Sequence, residues 1–156
     1  MNIKFLNYEK SLMSFKHYKD SLKKIQSLSL KYKDEIDKIK EEAASIIKSS
    51  SSLILDESIK MRNAERYKSL EERAYQLEFN YKNEAGQLQN SEMTKINELL
   101  EEIVTNYSKD NSIDMVINSN HVIYSKSELN ITEDIINYFK ENDLFVEIED
   151  FETEMS

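Results

Sequence analysis

The spacing of apolar residues changes along the chain, and each change marks an element. From about Glu9 to Lys48 the apolar positions are Leu12, Phe15, Tyr18, Leu22, Ile25, Leu28, Tyr32, Ile36, Ile39, Ala43 and Ile46. Spacings of three and four alternate almost throughout, which predicts one helix with an apolar seam. Roughly 40 residues at ~1.5 Å each give a rod of ~60 Å. No single compact core can bury such a rod, so the seam predicts a partner helix along its length. That partner is predicted from about Glu57 to Lys109, with Ile59, Tyr67, Leu70, Ala74, Leu77, Tyr81, Leu88, Ile96, Leu99, Ile103 and Tyr107 on its seam. Between the two, Ser49 to Ser52 interrupt the pattern, and serine favours turns and caps. The chain is therefore expected to reverse between Lys48 and Glu57 and form an α-hairpin. Leu53, Ile54 and Leu55 at its tip read first as a plug that closes the hairpin and second as an exposed sticky end.

The second seam loosens between Tyr81 and Ile96, where Leu88 is the one large apolar residue and Gly86 sits mid-helix. A helical glycine costs roughly 1 kcal/mol relative to alanine, so a bend or soft joint is expected there.

At both ends the period becomes two. Ile113, Met115 and Ile117 alternate with polar or opposite-facing residues, and Val122 and Tyr124 resume the alternation after Asn118-Ser119-Asn120. Asparagine tolerates positive φ and bonds its own backbone, so the stretch predicts a β-hairpin. A hairpin alone is marginal. Its expected third strand is Ile3 to Tyr8, with Ile3 and Phe5 on one face and Leu6 and Tyr8 on the other. Asn130 or Thr132 is expected to cap a final short helix, with Glu133 and Asp134 in its first turn.

Composition narrows the class. The 156 residues include no proline and one glycine, and 33% are charged, a profile of long helices rather than an ordinary globule. There is no cysteine, so no disulfide framework and no thiolate zinc site is expected. The two histidines, His17 and His121, fall in different predicted elements. No metalloprotease, nucleotide-binding or nucleophile-elbow motif occurs. The expectation is a non-enzyme that needs no cofactor and no metal. No apolar run approaches the length of a membrane span, and Met1 to Lys10 lacks the apolar core of a secretory signal.

The net charge of −9 is unevenly placed. Glu9 to Lys48 carries 10 basic and 7 acidic residues, Glu57 to Lys109 carries 8 and 10, and Asp110 to the end carries 2 and 12. The helices are near neutral, which argues against nucleic-acid binding. After Lys140 come seven acidic residues and no basic one, interleaved with Leu144, Phe145, Val146, Ile148 and Phe151. This tail reads first as a disordered, solubilising segment and second as a segment that docks on the chain's own arm.

Three places in order resemble the Skp (OmpH-like) family of trimeric chaperones: Ile3 to Leu12 with Tyr18-Lys19-Asp20; the long charged helical middle; and Asp114 to Asn118, Val122 to Tyr124 and Asn130 to Thr132. The resemblance covers about Ile3 to Lys140. It implies an α+β, mostly α fold, a β-rich base at 1–8 and 112–140, an α-hairpin arm at 9–111, and a tail at 141–156 outside the pattern. It also implies a homotrimer whose arms surround a cavity for unfolded outer-membrane β-barrel proteins. On that reading Ile3, Phe5, Met115, Ile117, Val122 and Tyr124 build the oligomer body, and Leu53, Ile54 and Leu55 are candidates for client contact. The partners implied are unfolded proteins and further copies of the chain, with proximity to a membrane surface but no span. Without a nucleotide motif, holding clients would be ATP-independent. The resemblance implies the periplasm, whereas the lack of a signal at Met1 leaves the cytoplasm open. Those near-neutral arms favour a second reading, a coiled-coil scaffold that oligomerises through its base. A prefoldin-like chaperone fits less well, because its strands lie between its helices.

Overall fold

The structure is a computed structural model that describes residues 1–51 and 56–148. Its elements are β1 (Ile3–Leu6), α1 (Tyr8–Met13), α2 (Lys16–Ser50), α3 (Glu57–Asp110), β2 (Met115–Asn118) and α4 (Thr132–Glu141), with 3-10 turns at Ser119–His121 and Ser127–Leu129. The fold is α+β and mostly α. Two compact units divide the chain: Met1–Lys23 together with the chain from Asn90, and Lys24–Gln89.

In the first unit β1 and β2 pair in parallel, Ile3 with Met115 through Leu6 with Asn118. A parallel pair needs a long crossover, and here the helices supply it. The core beneath the sheet is Leu6, Phe15, Ile96, Leu100, Ile131, Ile135 and Phe139. Phe15 and Phe139 stack with ring centroids 4.9 Å apart. The starts of α1 and α3 are marked locally. Asn7 caps α1 by accepting the Lys10 N–H at 3.0 Å, and the Asp56 carbonyl accepts from Ile59 and Lys60 at the start of α3.

The expected hairpin is reduced to its first strand. Asn118 does bond its neighbour, accepting from the Asn120 N–H at 3.2 Å, but it closes a 3-10 turn. The tight primed turns that suit hairpins need positive φ at a central residue. Among the described residues only Ser112 and Asp143 adopt it. Val122 and Tyr124 are accordingly not in a strand. The other edge of β1 meets Asn130 in a single bridge, and Phe5 accepts from the Ile131 N–H at 2.8 Å.

The first predicted helix is also corrected. It is broken at Ser14–Phe15, between α1 and α2. Phe15 lies fully buried there, and the chain turns to place it. The expected cap of α4 sits one residue off: Ile131 occupies the cap position, while the Asn130 side chain accepts from the Thr132 N–H at 2.9 Å. Glu133 does lie in the first turn, where Lys10 reaches it at 2.8 Å.

The beginning of the acidic tail is folded onto the chain rather than disordered. Phe15 and Phe145 form an antiparallel bridge, and Val146 is buried. Apolar Leu144 and Phe145 pack against the core, and the Lys140 ammonium lies 4.8 Å from the Phe145 ring centre. The remaining tail residues, 149–156, lie outside the described part.

In the second unit α2 and α3 run antiparallel. Tyr32 meets Tyr81 at 5.5 Å between ring centres, Glu42 pairs with Arg66, and Ser50 accepts from Asn63 at 3.2 Å. Numbers that rise on one helix fall on the other, as a hairpin requires. Its tip, with Leu53, Ile54 and Leu55, is outside the described residues.

Candidate functional site

The sheet offers the first surface. Side chains alternate between faces along a strand. Leu6 enters the core and Val116 packs against it. Ile3, Phe5, Met115 and Ile117 therefore share the opposite face, and the register sets Ile3 beside Met115 and Phe5 beside Ile117. Ile3, Phe5 and Ile117 are half-buried, and Met115 is 47% exposed. Beyond β2 no further strand pairs among the described residues, so its outer backbone edge is open. Just after it, Ile123 is fully exposed and Tyr124 is 81% exposed. Of the six residues predicted to build a body, the structure thus brings four onto one face. Val122 is half-buried and Tyr124 projects from the following loop.

Beside this edge lies a cleft of about 540 Å³, walled by Leu6, Tyr8, Val104, Ser108, Ile113 and Val116 among others. The Ser108 hydroxyl is buried without a hydrogen-bond partner among the described residues. Burial and the nearby Glu101 carboxylate hold the Tyr8 phenol above its ordinary pKa; its hydroxyl donates to Asn97 at 2.5 Å. Tyr107 is likewise raised, by burial first and then by Asp134.

The arm unit offers the second surface. Its α2 seam follows the sequence closely: Ile25, Leu28, Tyr32, Ile36, Ile39, Ala43 and Ile46 are all buried or half-buried. On α3, Tyr67, Leu70, Ala74, Leu77, Tyr81 and Leu88 are half-buried, whereas Ile59 is exposed. Seam positions are occupied by the partner helix and are not free to bind anything else. Exposed apolar side chains lie off the seam: Leu30 and Ile47 on α2, and Met61, Tyr75 and Phe79 on α3. Tyr75 and Phe79 are one turn apart and so share a face. Periodicity missed them because it picks out the buried stripe.

One polar pair of the arm lies mid-seam. Tyr32 donates to Glu84 at 2.5 Å, and this hydrogen bond is the first cause of its raised pKa. Among the described residues no three acidic or histidine side chains converge to hold a metal, and no helix is long and apolar enough to cross a membrane.

No curated protein matches the sequence at a significant level. The family model described as outer membrane protein (OmpH-like) matches residues 2–139. That match takes in β1, the helices, β2 and α4 up to Phe139, and with it the chain belongs to the OmpH-like family.

Proposed function

We propose that the protein is an ATP-independent holdase: it binds unfolded proteins of the outer-membrane type and keeps them from aggregating, as a homotrimer joined through its sheet. The observation that carries this reading is the family match across both ends of the chain and the helices between them, since the OmpH-like family is associated with chaperone function. The open edge of β2 and the apolar outer face of a two-stranded sheet support self-association, because exposed edges and apolar faces invite pairing. Clients would meet the exposed Leu30, Ile47, Met61, Tyr75 and Phe79 through many weak, non-directional contacts. The tip residues Leu53, Ile54 and Leu55 remain candidates for the same role.

The test is light scattering. A urea-unfolded outer-membrane β-barrel protein is diluted into buffer with and without this chain, in the absence of nucleotide. The expected result is suppressed scattering at a few chains per client. Near-neutral arms give little long-range attraction, so the suppression should change little with added salt.

A second reading, a coiled-coil scaffold that oligomerises through the same sheet, draws on the near-neutral charge of the helices. Unchanged scattering in the presence of a folded, oligomeric chain would favour it over the holdase.

A further inference from the structure

The start of α2 is far more basic than the near-neutral helix as a whole. Residues 16–33 hold six lysines and a single acid, Asp20. Lys16, Lys19 and Lys23 in the first unit are three and four apart, so they share one face of the helix. Together with Asp143, Phe145 and Glu147 they wall a groove of about 390 Å³. The C-terminal segment thus enters this groove with its acids: Asp143 comes within 4.0 Å of Lys16, and Glu147 stands on the same wall.

The residues that follow carry more of the same charge. Between 149 and 156 lie Glu149, Asp150, Glu152 and Glu154 and no basic residue. Ile148, Phe151 and Met155 are three and four apart, a helical stripe, and Ile148, the last described residue, is in helical conformation. The point of departure is fixed, because the Val146 N–H donates to the Ser14 carbonyl at 3.0 Å and Val146 is buried. Length fits as well. Eight residues in a helix rise ~12 Å, and Lys16 to Lys23 takes up ~10 Å of α2. A second groove on the other side of the segment is walled by Lys10, Glu133, Ile136 and Lys140. Its wall belongs to α4, which has three acids and one lysine over Thr132–Glu141, and like charge disfavours an acidic occupant.

We propose that residues 149–156 dock along the Lys16–Lys19–Lys23 face of α2, with their carboxylates toward the lysines and Phe151 and Met155 against the lysine stems. Exposed ion pairs are individually weak. The lysines therefore set where the segment lies, and burial of the two apolar side chains supplies the hold. The same kind of contact occurs one turn earlier in the segment, where the Lys140 ammonium lies 4.8 Å from the Phe145 ring centre. The chain's own tail then covers this basic face, which is not offered to an acidic partner. This inference concerns the chain by itself and does not rest on the holdase reading.

The test places one nitroxide label on the full chain through Thr153→Cys, which is unique because the chain has no cysteine. Amide NMR then reads which residues lose intensity near the label. The expected result is the greatest loss over residues 16–23. Lys19→Glu with Lys23→Glu should reduce that loss, and adding Glu149→Lys with Glu152→Lys should restore it. Loss spread evenly over the chain would overturn the proposal. So would loss centred on Lys10 and Lys140, which would place the tail in the second groove. Equally large loss in unlabelled, isotope-enriched chains mixed with labelled ones would overturn it too, by making the contact one between copies. Reversed lysines that leave the loss unchanged, or restoring lysines that fail to bring it back, would count against it in the same way.

Discussion

Two residues stop helices without the residue best suited to do it. Ser112 has φ of 52° and Asp143 has φ of 57°. Each follows a helix end at which the next amide reaches back five residues: Ile113 to Ser108 at 2.9 Å and Leu144 to Phe139 at 2.8 Å. This is the Schellman arrangement, whose left-handed position favours glycine. A side chain there is strained, so Ser112→Gly should stabilise the fold by about 0.5–1 kcal/mol after the added freedom of the unfolded chain is offset. The urea midpoint should rise with an unchanged slope; a lower midpoint would contradict the assignment. In a chain with a single glycine these stops carried no glycine signal, and the apolar seam placed the end of the second helix only at about Lys109. Tyrosines set a second residue-level expectation. Tyr8 and Tyr107, through burial first, and Tyr32, through its bond to Glu84, all have raised pKa values. A raised value means that the fold favours the neutral phenol. Their contribution is intact below about pH 10, the ordinary tyrosine value, and is lost as pH climbs through the higher folded-state values. Thermal midpoints should therefore stay level from neutral pH to about pH 9 and fall beyond about pH 10, with a smaller fall in Tyr8→Phe.

At the scale of elements, the helices were the legible part. A seam repeats many times, so single errors such as Ile59 do not disturb it. What the seam hid is the wider buried face of α3 in the first unit. Leu100 is fully buried one residue from the predicted Leu99, because the sheet and α4 add to the surfaces against which this end of α3 packs. The α4 residues Ile135, Ile136 and Phe139 are buried too, and a ten-residue helix offers too few repeats to announce them. The proposed soft joint belongs here. α3 is assigned as one helix through Gly86, so its glycine makes no break. A Cβ added at Gly86 would meet nothing within 4 Å. Gly86→Ala should then recover the roughly 1 kcal/mol that helical glycine costs, and amides around residues 83–91 should exchange about fivefold more slowly, the same energy expressed as a ratio. No change in exchange would remove the reason to treat this stretch as soft.

For the whole molecule, the decisive question is what completes the sheet. Two strands of four residues are short of what stands alone in water, and their inner face is already spent on Leu6 and Val116. Their pairing also joins residues more than a hundred positions apart, and such distant contacts are slow to form. The sequence located both strands but assigned the missing partner to a hairpin within the chain; the structure leaves that edge open instead. A second chain is the physical alternative, and the outer face of Ile3, Phe5, Met115 and Ile117 is where it would sit. Ile117→Lys tests this cleanly. The residue points away from the core, so the change should leave helix content by circular dichroism close to the parent's, yet it would force an ammonium into any apolar contact between chains. Sedimentation should show the parent as an oligomer and the variant as a folded monomer. If the variant assembles as the parent does, the chains meet somewhere else, and the open edge of β2 would need another cover.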